Sequence, residues 1–256
     1  MEVHHHPHVE KKGFKEYFLE FLMIFLAVTM GFFAESIREH LVEKVHEKEY
    51  MKEIVEDLKY DTIRCRVNAE NNVLLLSGLD SLRNELKQAI KGNISANALY
   101  YFSFQYTGKC HQAIFNTSTI TELKNSGSLR LIENKNIVNG IADYYERKII
   151  ATQFYLPDAQ DVVKISEEFF SLTGLDDFIQ SYNSISSKTY QNDYNYQKVL
   201  QHQPELHLMT TDPVEFDRFY TKTSQYEIAL KEYNFWLKYT RNAAEKLISD
   251  IQKQYD

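Results

Sequence analysis

The densest concentration of side chains able to do chemistry is the opening MEVHHHPH, where His4, His5, His6 and His8 flank Pro7. Neutral imidazoles this close together are good ligands for zinc, nickel or copper, so a divalent transition-metal site is one reading. Such a site also needs fixed geometry and outer partners, which a Pro-interrupted segment does not itself supply. The same residues suit a disordered or lipid-headgroup-contacting tail that gains charge as pH falls below about 6.5. No other cofactor is implied.

A second candidate is Glu20, the one carboxylate inside the apolar run YFLEFLMIFLAVTMGFFA from Tyr17 to Ala34. A carboxylate in lipid is costly unless it reaches water or a partner. Either it sits at headgroup level beside Lys15 and Glu16, or it faces other copies of the same helix, with Thr29 and Gly31 allowing close approach. The third candidate is the cysteine pair. Cys65 and Cys110 are the only two in the chain, and a bond between them would close a loop worth about 4 kcal/mol in an oxidising compartment. In a reducing one both are small buried residues. Cys110 adjoins His111, but two ligands do not make a metal site. His202 and His207 flank QPEL with a spacing that suits a surface loop.

Other chemistry is not legible. The sequence holds no His-Glu-x-x-His helix, no phosphate-cradling glycine loop and no nucleophile elbow, so no catalytic residue is assigned and a non-enzymatic protein is expected. The net charge of −7 and the pI of about 5.8 argue against nucleic acid as a partner.

The elements that would position these residues are helices. Gly (8) and Pro (4) are scarce in 256 residues while Tyr (18) and Phe (16) are plentiful, which favours long uninterrupted elements. As a helix the Tyr17–Ala34 run would span about 27 Å, near the hydrocarbon thickness of a bilayer. Lys11, Lys12, Lys15 and Tyr17 before it, and Glu35, Arg38 and Glu39 after it, are interface anchors. Phe32 at an outer specificity position argues against a cleaved signal peptide. The expected order is a His-rich tail (1–15), a transmembrane helix (16–35), a helical stalk (36–66) and a soluble helical bundle (67–256). Positive charge is almost balanced across the run. The three lysines close before it favour a cytoplasmic tail and an extracytoplasmic body.

Within the stalk, Ile37, Leu41 and Val45, then Met51, Ile54, Val55 and Leu58, form a thin apolar stripe on a charged rod. Val73 to Ile90 is richer, and Gly92 is its stop. The aromatic stretch LYYFSFQYTGKCHQAIF alternates like a strand but has no second strand to pair with, so it is read as helix-rich. Thr119 and Glu122 fit a capping box, Ser126-Gly127 a break, and a helix is expected from Asn134 to about Leu172. Its seam runs through Val138, Ala142, Tyr145, Ile149, Thr152, Leu156, Ala159, Val163, Ser166 and Phe170, with a kink at Pro157 and an end at Gly174. Residues 176–203 read as loop. Asp212, Pro213 and Glu215 then open a last helix with a three-four seam from Phe216 through Phe219, Thr223, Tyr226, Leu230, Tyr233, Leu237, Thr240, Ala244 and Leu247 to Ile251.

The opening HHHPHVEKK, the anchor FLEFLMIFLAVTMGFFAESIRE and the passage FNTSTITELKNSGSLRLIENKNIVNGIADYY together resemble a functionally uncharacterised family of bacterial envelope proteins. That resemblance implies a single-pass, N-terminally anchored helical protein of the cytoplasmic (inner) membrane, with no catalytic residues to carry over. The expectation is an all-α protein with membrane contact: an oligomeric scaffold, sensor or partner-docking module that self-associates through its membrane helix and stalk and engages an envelope protein. The alternative is an oligomeric channel or metal-handling protein using Glu20 or the His cluster.

Overall fold

The computed structural model describes residues 13–107, 110–157 and 207–255, with Ile165, Glu168, Phe169, Leu172 and Thr173. The described part is all-helical. Its elements are α1 (Phe14–Ile90), α2 (Ala96–Tyr106), α3 (Ser118–Asn125), a 3-10 turn (Ser128–Leu131), α4 (Lys135–Asp143), a π turn (Tyr144–Lys148), α5 (Ile149–Phe154) and α6 (Pro213–Tyr255). Among the described residues the sole β feature is an isolated bridge between Thr173 and Leu208. The His cluster, Ala159, Val163, Ser166, Phe170, Gly174, residues 176–203 and His202 lie outside the described residues.

α1 is one unbroken helix of 77 residues, roughly 115 Å long at 1.5 Å per residue. At its start the Gly13 amide donates to Glu16 Oε2 at 3.0 Å. It stops where the sequence expects, with Gly92 in the left-handed region at φ 90° and the Gly92 and Asn93 amides closing onto the Ala89 and Gln88 carbonyls. Among the described residues α1 alone is long and apolar enough to cross a membrane, and none of its apolar window is buried.

Packing begins at Glu47. Residues 47–66, expected to be stalk, therefore lie against other helices and belong to the packed body. Met51, Ile54, Val55 and Leu58 join Ile120, Leu123, Ile137, Ile141 and Ile149 with Ala244, Leu247 and Ile251 in one apolar cluster. Leu75, Leu79, Leu82 and Leu86 join Leu99, Tyr100, Phe216, Phe219, Leu230 and Leu237 in the other. Polar pairs tie the two ends of the packed part of α1 to α6: Tyr255 donates to Glu47 at 2.6 Å, and Arg83 pairs with Glu227 and donates to Tyr220 at 2.9 Å. Burial alone would raise the pKa of Glu227, but Lys231 and Arg83 outweigh it and hold it below the usual carboxylate range.

α6 follows the sequence closely. All eleven residues of its expected seam are buried. Asp212 caps it, accepting from the Val214 amide at 2.9 Å, whereas Glu215 pairs with Arg218 at 3.0 Å rather than closing a capping box.

The middle passage departs in three places. α3 opens at Ser118 with Thr117 as its cap residue, not at Thr119, and Thr119 is buried. The π turn adds one residue to the helical repeat, so the buried positions are Ile137 and Ile141 before it, Tyr144 and Tyr145 within it, and Ile149 and Thr152 after it. The seam read from the sequence holds after the turn and is one residue out before it. α5 ends at Phe154, so Pro157 follows a helix end instead of kinking a continuous helix.

Gly78 sits inside α1 under the Tyr106 ring, which a Cβ at that position would overlap. Ala normally gains about 1 kcal/mol over Gly inside a helix, but overpacking costs about 1–3 kcal/mol. Gly78→Ala is therefore expected to lower, not raise, the denaturation midpoint in urea.

Candidate functional site

Asp57 and Asp61 are one helical turn apart on the buried face of α1, 6% and 0% exposed. They lie where the two apolar clusters meet, a position at which a bare carboxylate would be strongly penalised. Each of their four oxygens accepts a hydrogen bond. Asn116 supplies two, from its amide to Asp61 Oδ1 at 2.8 Å and from Nδ2 to Asp57 Oδ1 at 2.6 Å. The Thr119 amide donates to Asp57 Oδ2 at 3.2 Å, and Tyr144 OH to Asp61 Oδ2 at 2.8 Å. Asn116 Oδ1 also accepts from the Ser118 amide at 3.1 Å. The start of α3 is thus capped by Asn116 and, across the fold, by a carboxylate of α1.

The π turn positions the tyrosines. Regular α geometry separates consecutive side chains by about 100°, whereas the wider turn leaves Tyr144 and Tyr145 both buried, with rings 5.0 Å apart and edge to face. Thr152 and Thr240 secure its end: the Thr152 hydroxyl donates to the Lys148 carbonyl at 2.9 Å and accepts from the Thr240 hydroxyl at 2.7 Å.

Every donor to the acid pair is uncharged, and among the described residues no cation pairs with either carboxylate. Desolvation raises Asp61 to about 6; the Asn116 and Tyr144 bonds pull the other way, and the Asp57 charge adds to the rise. Burial, then the Asp61 charge, hold Tyr144 well above the usual phenol range, so it stays a donor at physiological pH.

Outside this layer, α4, the π turn and α6 enclose an open groove of about 560 Å³ lined by Asn136, Asp143, Tyr144, Lys148 and Tyr239 among others. Tyr144 therefore links groove and buried acid. Lys148 donates to Asp143 and to Tyr239 OH, both at 3.3 Å, and lies 4.8 Å above the Tyr239 ring. Chemically the arrangement can hold a proton in a dry setting and present a hydrogen-bonding wall.

The residues singled out in the sequence do not converge here, apart from Cys65, one turn beyond Asp61. Cys65 and Cys110 are free thiols, buried and half-buried, and burial pushes each up to about 12. Glu20 lies on the exposed part of α1. His111 exchanges backbone bonds with the Asn72 side chain, and the exposed His207 accepts from Tyr100 at 3.1 Å through its carbonyl. Among the described residues no three His, Cys, Asp or Glu side chains are grouped to hold a metal ion. Sequence reasoning missed Asp57, Asp61, Asn116 and Tyr144, and read Tyr145 only as a packing residue of the seam. One signal was available: Asp61 occupies an apolar slot in the spacing Ile54, Leu58, Asp61, Cys65.

Comparison of the chain with protein-family models, curated proteins and solved structures gives no match.

Asn116→Ala leaves Asp57 Oδ1 without its donor and removes the Asn116 part of the α3 cap. Loss of a bond to a buried acceptor costs about 1–3 kcal/mol, so a fall in unfolding free energy of that size is expected in urea titration.

Proposed function

We propose that this protein is a non-enzymatic, membrane-anchored module whose helical body is held at the bilayer as an oligomer and serves to dock or sense an envelope partner. The observation that carries this reading is the continuity of α1. The helix whose first third exposes Phe18, Phe21, Ile24, Phe25, Met30 and Phe33 also supplies Met51, Leu58, Leu79 and Leu86 to the core. An apolar band of that extent has no match on ordinary water-soluble monomers, and its length suits a hydrocarbon core. The Thr29 hydroxyl donates to the Phe25 carbonyl at 2.7 Å, so that polar group is satisfied within its own helix, as lipid requires.

In this reading the segment 16–35 spans a bacterial cytoplasmic membrane once, the tail is cytoplasmic and the body extracytoplasmic. The opposed order of the Glu47–Tyr255 and Arg83–Glu227 contacts supports an antiparallel bundle of long helices. Ile37, Leu41, Val42 and Val45 are all exposed and extend the apolar surface towards the body, supporting self-association through the membrane helix and stalk. The resemblance to anchored helical envelope proteins points the same way.

Light scattering on detergent-extracted full-length protein is expected to give one discrete oligomer, and Leu41→Glu with Val45→Glu to shift it to monomer. A monodisperse monomer at every concentration would overturn self-association.

A further inference from the structure

We propose that the Asp57–Asp61 pair is a proton-binding site that clamps residues 113–119 and the π turn onto α1 when protonated and loosens both when fully ionised. The proton comes from bulk water onto the Asp61 carboxylate and returns there; no other group is consumed. The inference does not depend on whether the apolar end of α1 resides in lipid.

Three observations converge on it. First, two carboxylates one turn apart are buried with only neutral donors around them, so full ionisation places two unbalanced charges in a dry layer. Second, the Tyr145 hydroxyl, on a residue only 7% exposed, has no hydrogen-bond partner among the described residues. Its pKa is raised first by burial and then by the charges of Asp57 and Asp61, which places it within their field. A carboxyl that takes up a proton gains a donor, and this hydroxyl is a ready acceptor. Third, the groups that would be released are local and specific: the Asn116 and Thr119 amides, the Asn116 side chain and Tyr144 OH each bond directly to the pair.

The surrounding charges do not replace the proton. On α1 the only other titratable group facing the layer is Cys65, held as a thiol by its raised pKa. On the π turn, Tyr144 and Tyr145 are neutral at physiological pH, while Lys148 pairs with Asp143 on the groove side. On α6, Arg241 acts on Cys65 but pairs with Glu245 at 3.4 Å. The residues 113–119 bring no titratable side chain.

The sign follows from the raised value. Asp61 titrates near 6 when folded, against an ordinary value of 3.8. Its stabilising contribution is complete below about 3.8 and is lost as pH rises through about 6. A separation of about two pH units corresponds to up to about a hundredfold change in an opening equilibrium.

The test is hydrogen exchange of the full chain in detergent at pH 5 and pH 7.5, corrected for the intrinsic pH dependence of exchange. Protection of peptides covering 113–119 and 140–150 is expected to fall at least tenfold at the higher pH, while peptides within 213–235 stay constant. Asp61→Asn should keep protection high at both pH values, and Asp57→Asn should move the midpoint to lower pH. An equal response in wild type and Asp61→Asn, or none in wild type, would overturn the proposal. An infrared carbonyl band of a buried protonated carboxyl is expected in wild type at pH 5 and lost by pH 7.5; its absence at pH 5 overturns the proposal without any variant.

Discussion

The structure depends on one constraint: α1 keeps its helical hydrogen bonds through 77 residues while its surroundings change from none to a packed core. A helix satisfies its backbone internally, so it can leave the body without exposing unpaired peptide groups, which a strand or irregular segment could not do. The change falls at Glu47, whose carboxylate accepts from the Glu133 amide at 2.8 Å and from Tyr255 at 2.6 Å. From there the helix is locked to α6 and to the middle passage. A displacement of its apolar end must therefore be carried into the body, because no hinge separates the two.

The acid layer gives the packed half its register. Above and below it the clusters are apolar, and a slip of α1 by one turn would put one carboxylate among the other's donors and carry the second out of the layer without any. Apolar packing alone discriminates weakly between such registers, whereas an unsatisfied buried carboxylate does so strongly. Glu47 and Arg83 fix the two ends in the same manner. The polar groups thus specify the arrangement more than they stabilise it, and the Asp57–Asp61 pair does so at the cost of sensitivity to protonation.

What could be read from sequence follows the length scale of each signal. The α6 seam repeats over ten turns, so its register was recoverable, although the buried Glu227 and Asn234 fall outside that seam. The α1 stop was legible because Gly92 alone supplies the left-handed residue the turn needs. The middle passage was harder. A single inserted residue in the π turn shifts the buried face, and periodicity cannot show on which side of it a fixed repeat will fail. The cap of α3 comes from Asn116 and from Asp57, 62 residues away from the Thr119 amide it accepts, so no local capping pattern could reveal it. Residues 47–66 looked like stalk because their apolar stripe is thin; α3, α4 and α6 all converge on that stripe, which makes it core.

The central claim is that the exposed apolar third of α1 lies in lipid. The most direct measurement places a single tryptophan there, Phe25→Trp with Trp236→Phe, in full-length protein reconstituted into vesicles with brominated acyl chains. The account predicts blue-shifted emission that is strongly quenched by the lipid bromines. Emission typical of water, or a blue-shifted signal that the bromines leave untouched, would contradict it.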